Sequence, residues 1–284
     1  MVKVTHFEGV TVGRILAKLL ATTIPYHLYF VDGLLVDTGP HSLRRELLPF
    51  LHGLPIEQVA LTHIHEDHCG LAADLAARGV PILCPAESVE DAAHEARLPL
   101  YRRLIWGRRP PFPAGPLPDT LRTPGHTFQV LKGPGHTEHH VLFYEAERGW
   151  LFSGDFYLTA RPRLVFGGED LSATLATLKR LERLDVRVVF DTHAGPLPDG
   201  AQRLAQKREF LEDLGGRVAD LRAQGLDDRA IDRRLFPRKP LITYFSRGEW
   251  ASIHMVRTVA APEGRSERAK GIESTSERSN EPTN

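Results

Sequence analysis

The stretch THIHEDHCG, residues 62–70, constrains this chain more than any other. It sets His63, His65, Asp67 and His68 close together, and every one of them carries a metal-ligating side chain. Residues 56–63 (IEQVALTH) read as a strand. Side chains two apart on a strand point the same way, so the imidazoles of His63 and His65 are expected to reach one cation. Asp67 and His68 follow in the turn into a helix and are expected to face a second cation nearby. Imidazole and carboxylate suit zinc, and also manganese or iron. The chain holds 14 histidines, an unusual number for 284 residues.

Composition narrows what can surround such a centre. Hydrophobic residues make up 42% and charged residues 25%, enough for a packed soluble core. Lys plus Arg and Asp plus Glu balance at 36 each, which argues against a strongly basic nucleic-acid binder. No apolar run approaches the roughly 18 residues of a membrane span. The N-terminal residues lack the apolar block and cleavage site of a secretion signal. Two cysteines, Cys69 and Cys84, exclude a disulfide scaffold and lead us to expect a cytoplasmic protein.

Strand-like and helix-like segments alternate over the first 200 residues. Residues 26–31 and 34–39 flank Asp32-Gly33 and read as a hairpin. Residues 42–54 have helical apolar spacing, 69–79 read as a helix stopped by Gly79, and 80–85 as a short strand. This order implies a partly parallel sheet covered by helices. Residues 97–118, rich in Arg, Pro and aromatics, suggest a short helix and a proline-stiffened loop. Strands are expected at 128–133, 139–145, 150–155 and 186–193, with an amphipathic helix at 171–184. Helical patterns fill 201–225, 227–236 and 250–260. Residues 262–284 hold one large aliphatic residue, Ile272, and are expected to be disordered. The expected organisation is a catalytic domain over 1–200, a helical extension over 201–261 and a tail over 262–284.

The motif His63-x-His65-x-Asp67-His68 resembles the signature of the metallo-β-lactamase-fold hydrolases, a superfamily that includes glyoxalase II, lactonases, ribonuclease Z and sulfur dioxygenases. Its further elements also occur here in order: VDTG with Asp37, GPGHTEHH with His136, FSGD with Asp155 and FDTHAG with His193. The resemblance covers about residues 20–200, and residues after 200 resemble the C-terminal extension of the glyoxalase II-like branch. It implies an α/β (α+β) fold, a four-layer αββα sandwich. It also implies a site for two divalent ions, Zn2+ first, with Mn2+ or Fe2+ as alternatives. His63, His65 and His136 would hold one ion, Asp67, His68 and His193 the other, and Asp155 would bridge them. Two metals roughly 3.5–4 Å apart can activate a bridging hydroxide and clamp the reacting oxygens.

Gly-His-Thr occurs twice, at 125–127 and 135–137. We take His136 as the ligand because it follows the strand at 128–133 and precedes the hairpin that delivers Asp155. His126 lies in a loop before that strand. His140 is expected beside the site rather than on a metal. Asp37 is expected to orient a ligand imidazole, and Cys69 to serve helix packing. His27, His41, His52, His94 and His139 read as surface or structural. Tyr157 fits either a place near the reacting oxygen or the core. Residues 243–250 (TYFSRGEW) are read as a connection into the last helix, with closure over the site as the alternative. The arginines of 97–118 (Arg97, Arg102, Arg103, Arg108, Arg109), with Tyr101, Trp106 and Phe112, read as a solvated face or as an anion-and-ring pocket.

The preferred function is metal-dependent hydrolysis of a small ester, thioester or lactone, with Asp67 also steering a proton to the leaving group. RNA phosphodiester cleavage on the same metals is the second reading, and a mononuclear iron sulfur dioxygenase the third. The expected partner is a small molecule, with no membrane, nucleic acid disfavoured and a homodimer left open.

Overall fold

The computed structural model describes residues 1–19 and 22–260. The first sheet has seven strands in chain order: β1 (Lys3–Phe7), β2 (Val10–Leu19), β3 (Thr22–Val31), β4 (Leu34–Val36), β5 (Gln58–Ala60), β6 (Ile82–Cys84) and β7 (Gly115–Pro116). The pairs from β1 to β4 are antiparallel and those from β4 to β7 are parallel. Asp32 and Gly33 both have positive φ, 48° and 85°, the backbone that lets a two-residue turn follow the strand twist. Each parallel connection runs through helix. α1 (Arg44–His52) precedes β5, α2 (Glu66–Cys69) and α3 (Ala72–Ala76) precede β6, and α4 (Val89–Ala92) and α5 (Leu100–Trp106) precede β7.

The second sheet takes β8 (Thr120–Arg122), β9 (Thr127–Lys132), β10 (Val141–Glu145) and β11 (Trp150–Gly154). Beyond a two-residue strand, β12 (Val165–Phe166), and helix α6 (Leu171–Leu181), it adds β13 (Val188–Asp191) and β14 (Gly195–Pro198). The order across the sheet is β14-β13-β11-β10-β9-β8, with β11 and β13 parallel. Four helices follow: α7 (Gly200–Ala223), α8 (Asp228–Leu235), α9 (Leu241–Phe245) and α10 (Ser252–Thr258). Just before α10, β15 (Trp250–Ala251) returns to pair with β12.

Three apolar seams make this a four-layer αββα sandwich, as the resemblance implies. Tyr29, Val31, Leu34 and Val36 meet Phe128, Phe143, Phe152 and Phe190 between the sheets. Strand side chains alternate faces, so Leu28 and Leu35 point outward to Leu47, Leu51 and Leu75 of the first helical layer. Leu142, Leu151 and Val189 do the same toward Leu178, Leu204, Leu211, Ile231 and Met255. The helices after residue 200 therefore share one apolar cluster with α6 and the second sheet. The tail expected at 262–284 lies outside the described residues.

Three sequence expectations change. Residues 1–19, to which the sequence assigns no element, form β1 and most of a long hairpin arm. The strand expected to reach His63 ends at Ala60. The helix expected over 69–79 is broken, because Thr38 takes the hydrogen bonds that would continue it. Its amide and hydroxyl donate to the His68 carbonyl at 2.6 and 3.0 Å, and its hydroxyl accepts from the Leu71 amide at 3.1 Å.

Phe152 and Phe190 stack at 4.7 Å across β11 and β13, at the centre of the inter-sheet seam. Phe152→Ala is expected to cost about 3–5 kcal/mol, read as a shifted midpoint in chemical denaturation.

Candidate metal centre

The chain segments that follow β5, β11 and β13 converge at one end of the sandwich. His63 and His65 lie in the irregular segment after β5, and His65 precedes the single turn of α2 that carries Asp67 and His68. What orders this segment is Asp37, at the end of β4 with φ 57°. Its carboxylate accepts from the Thr62 amide at 2.8 Å, the Thr62 hydroxyl at 3.0 Å and His68 Nδ1 at 2.8 Å. Thr62 Oγ1 in turn lies 3.1 Å from His63 Nδ1. One buried carboxylate thus orients the loop and leaves His68 Nε2 facing inward, the ligand-orienting role read for Asp37.

The second sheet supplies the other groups. His136 enters from the β9–β10 connection, its Nε2 3.1 Å from His65 Nδ1. β11 ends in a bulge between Phe152 and Gly154. Gly154 has φ 51°, and a Cβ there would lie 2.5 Å from Thr62 Oγ1 and 2.9 Å from His140 Nε2. Only glycine lets the strand bend tightly enough there to deliver Asp155. After β13, Asp191 accepts from the amides of His193 and Ala194 at 3.0 and 2.8 Å. His193 Nδ1 donates to the Pro25 carbonyl at 2.8 Å, so its Nε2 faces inward as well.

Two clusters result. His63, His65 and His136 gather their ring nitrogens within 4.8 Å of one another, and one ligand atom each from Asp67, His68, Asp155 and His193 does likewise. Asp155 faces both. Its Oδ2 is 3.6 Å from His136 Nε2, and its Oδ1 is 3.2 Å from His68 Nε2 and 3.4 Å from His193 Nε2. His63 Nε2, His68 Nε2 and Asp155 Oδ1 are buried without a hydrogen-bond partner. Buried polar atoms are rarely left so, and this donor set fits divalent cations.

The charges diverge across the site. Burial pushes His63 and His65 well below the usual histidine range, and neighbouring imidazoles push the same way. Burial also opposes charge on His68 and His193, but there Asp155 and the other nearby carboxylates outweigh it and raise both. Asp155 is raised by burial, yet His193 and His68 hold it well below the usual carboxylate range. His63 and His65 are thus held toward the neutral form, His136 beside them is raised because Glu169 and Asp155 outweigh its burial, and the second cluster is a network of opposite charges.

Other residues resolve as follows. His126 is remote from both clusters and packs 5.2 Å from the Trp150 ring, so the two Gly-His-Thr loops separate as expected. His140 is buried beside the site, its ring 4.9 Å from that of His63. The Cys69 thiol donates to the carbonyls of Ile64 and His65. Tyr157 belongs to the core against α6 and α7. The arginine segment divides. Arg103 and Arg108 are exposed, Arg109 is buried and donates to backbone carbonyls, and Phe112 is core. Tyr101, Arg102 and Trp106 turn into a cavity of about 520 Å³ over the clusters. Residues 243–250 are more than a connection into the last helix: Trp250, with Pro240, Leu241 and Ile242 just before the segment, walls this cavity.

Sequence reasoning missed two supports. Glu66, buried between two site residues, binds Arg102 through two contacts of 2.6 Å. Lys207 of α7 donates to the Phe156 and Tyr157 carbonyls at 2.6 and 2.8 Å and thereby braces the turn that carries Asp155. Neither has a local signal, because each partner is distant in sequence.

The comparisons with known proteins agree with this geometry. Residues 28–193, more than half of the chain, match the metallo-beta-lactamase superfamily model. A hydroxyacylglutathione hydrolase of Stenotrophomonas maltophilia (strain R551-3) is 31% identical over 160 residues, covering 56% of this chain and 55% of that protein. The probable metallo-hydrolase YqjP of Bacillus subtilis (strain 168) is 26% identical over 260 residues, covering 74% and 80%. The crystal structure of a metallo-beta-lactamase family protein from Thermus thermophilus superposes with a TM-score of 0.64 at 24% identity, covering 93% and 95%. The chain belongs to the metallo-beta-lactamase superfamily. It spans about half the length of the hydroxyacylglutathione hydrolases it matches.

Two outcomes follow from the supports. Asp37→Asn is expected to weaken metal binding about 10- to 100-fold, measured by competition with a chromophoric chelator. Burial lowers Lys207 from 10.5 to about 8, although Glu169, Asp191 and Asp155 oppose the shift. The unfolded chain then binds the extra proton between those values, so stability rises with pH over that window. Lys207→Met is expected to flatten that rise in denaturation midpoints measured at pH 7.5 and 9.5.

Proposed function

We propose that this chain hydrolyses an ester, thioester or lactone at a dinuclear centre, most favourably of zinc, with Mn2+ or Fe2+ as alternatives. The observation that carries the reading is Asp155, one carboxylate whose two oxygens face two separate ligand clusters at the floor of a cavity. His63, His65 and His136 would hold one ion, and Asp67, His68 and His193 the other, with Asp155 shared. Two divalent cations so held acidify water and polarise an acyl carbonyl.

The remaining work falls to the chain. Asp37 and Pro25 fix which nitrogen of His68 and of His193 faces the centre. Asp67 lines the cavity, 3.6 Å from His193 Nε2, and is placed to pass a proton to a leaving group. The walls are largely apolar, which desolvates the reacting carbonyl. The thioester form is supported by the name of the hydroxyacylglutathione hydrolase relative. A phosphodiester fits less well, because the guanidinium on the cavity wall, Arg102, is already paired with Glu66. A single iron fits less well too, because the second cluster is as tightly gathered as the first.

Asp155→Ala is expected to remove most hydrolysis of zinc- or manganese-loaded protein and to lower the metal bound per chain. His126→Ala is expected to change neither. Elemental analysis and a panel of esters, thioesters, lactones and phosphodiesters read both. Equal losses in the two variants would overturn the ligand assignment.

A further inference from the structure

The cavity over the metal clusters has a chemical character of its own. Apart from the site residues, its walls are built by Ile24, Ile105, Trp106, Leu164, Phe166 and Ile242, together with neighbouring apolar residues. Its volume of about 520 Å³ falls in the range of sites that enclose a drug-sized ligand. At α9 the apolar wall runs out to solvent: Leu241 lines the cavity and is itself 80% exposed. Among the described residues the walls carry one cationic side chain besides the histidines, Arg102, and its charge is already matched. The guanidinium makes two 2.6 Å contacts to Glu66, lies 3.7 Å from Glu249, and sits 5.0 Å over the Phe166 ring. A carboxylate entering this cavity would lose its hydration and find no free cation on the wall among the described residues, a large penalty.

We propose that the acyl group cleaved here is bulky, apolar and uncharged, a long aliphatic or aromatic acyl chain rather than a small hydroxyacyl or a dicarboxylic one. This rests on the acyl-hydrolase reading above. Phe166 and Trp106 line the cavity and supply flat aromatic surface, while Ile105 and Ile242 supply aliphatic surface. The Glu66–Arg102 pair keeps the wall electrically neutral and so discriminates against charged acyl groups.

The test uses the metal-loaded full chain and a series of thioesters of one common thiol: acetyl, butyryl, hexanoyl, octanoyl and decanoyl, with glutaryl as a charged counterpart. The expected kcat/KM rises about fourfold per added methylene, the worth of burying one such group, and levels off once the chain outgrows the cavity. Glutaryl thioester is expected to fall about a hundredfold or more below hexanoyl. Ile242→Trp, which narrows the cavity from the partly exposed helix α9, is expected to move the optimum to shorter chains. A second readout needs no turnover. Trp106 and Trp250 line the cavity, whereas Trp150 is buried in the inter-sheet seam. Titration with 1-octanol is therefore expected to change tryptophan emission, 1-butanol much less, and Trp106→Phe to reduce the response.

Rates indifferent to chain length, or highest for acetyl or glutaryl, would overturn the acyl assignment and leave the hydrolase reading standing. An unmoved optimum in Ile242→Trp would also overturn it. No turnover of any thioester, ester or lactone would overturn the hydrolase reading and the acyl assignment together, and octanol binding would then report only an apolar cavity.

Discussion

A carboxylate buried between two groups of imidazoles is the constraint around which this molecule is organised. Taking so many ionisable groups out of water costs several kcal/mol each unless every one is paired or ligated. Asp155 offers one oxygen to each group and lies at the meeting point. Much of the fold's specificity goes into holding that carboxylate in place. A bulge and a glycine bend β11, Asp37 ties the His63–His68 loop to β4, Asp191 closes the turn before His193, and Lys207 reaches from the far helical layer to brace the backbone after Asp155.

The helices after residue 200 belong to this design. α7 packs into the same apolar cluster as α6 and the second sheet, and carries Lys207. The segment from Pro240 to Trp250 supplies one wall of the cavity, and Glu249 approaches Arg102 from that side. Arg102 thus links three parts of the chain: α5, the loop of metal-binding residues through Glu66, and the C-terminal segment through Glu249. The same contacts that align these parts neutralise the Arg102 guanidinium, which faces the cavity. Structural pairing and the proposed substrate preference would then be two consequences of one interaction.

Much of this was legible in the primary structure, and the reason is locality. The Asp32-Gly33 turn, the Phe- and Val-rich strands and the capped helix after Asp170 depend on neighbours in sequence. The choice of His136 over His126 followed from strand order alone. The less legible parts depended on distant partners. The helix after His68 breaks because Thr38, thirty residues earlier, captures its hydrogen bonds. The first two strands went unread because a hairpin with polar and glycine positions resembles coil until a sheet pairs with it. Of the clustered arginines, only packing decided that Arg102 faces inward while Arg103 and Arg108 face water.

By itself the sequence determined the kinds of candidate ligand atom, their order along the chain and a partly parallel sheet covered by helices, because residue type and strand periodicity are written locally; the two-sheet sandwich was implied by the family resemblance. Tertiary structure alone decided that His63 and His65 converge from an irregular loop, that Lys207 supports the turn after Asp155, and that the space above the clusters is apolar with its guanidinium already paired. Those properties arise from groups far apart in sequence, whose burial and charge pairing exist only once the layers have closed on one another.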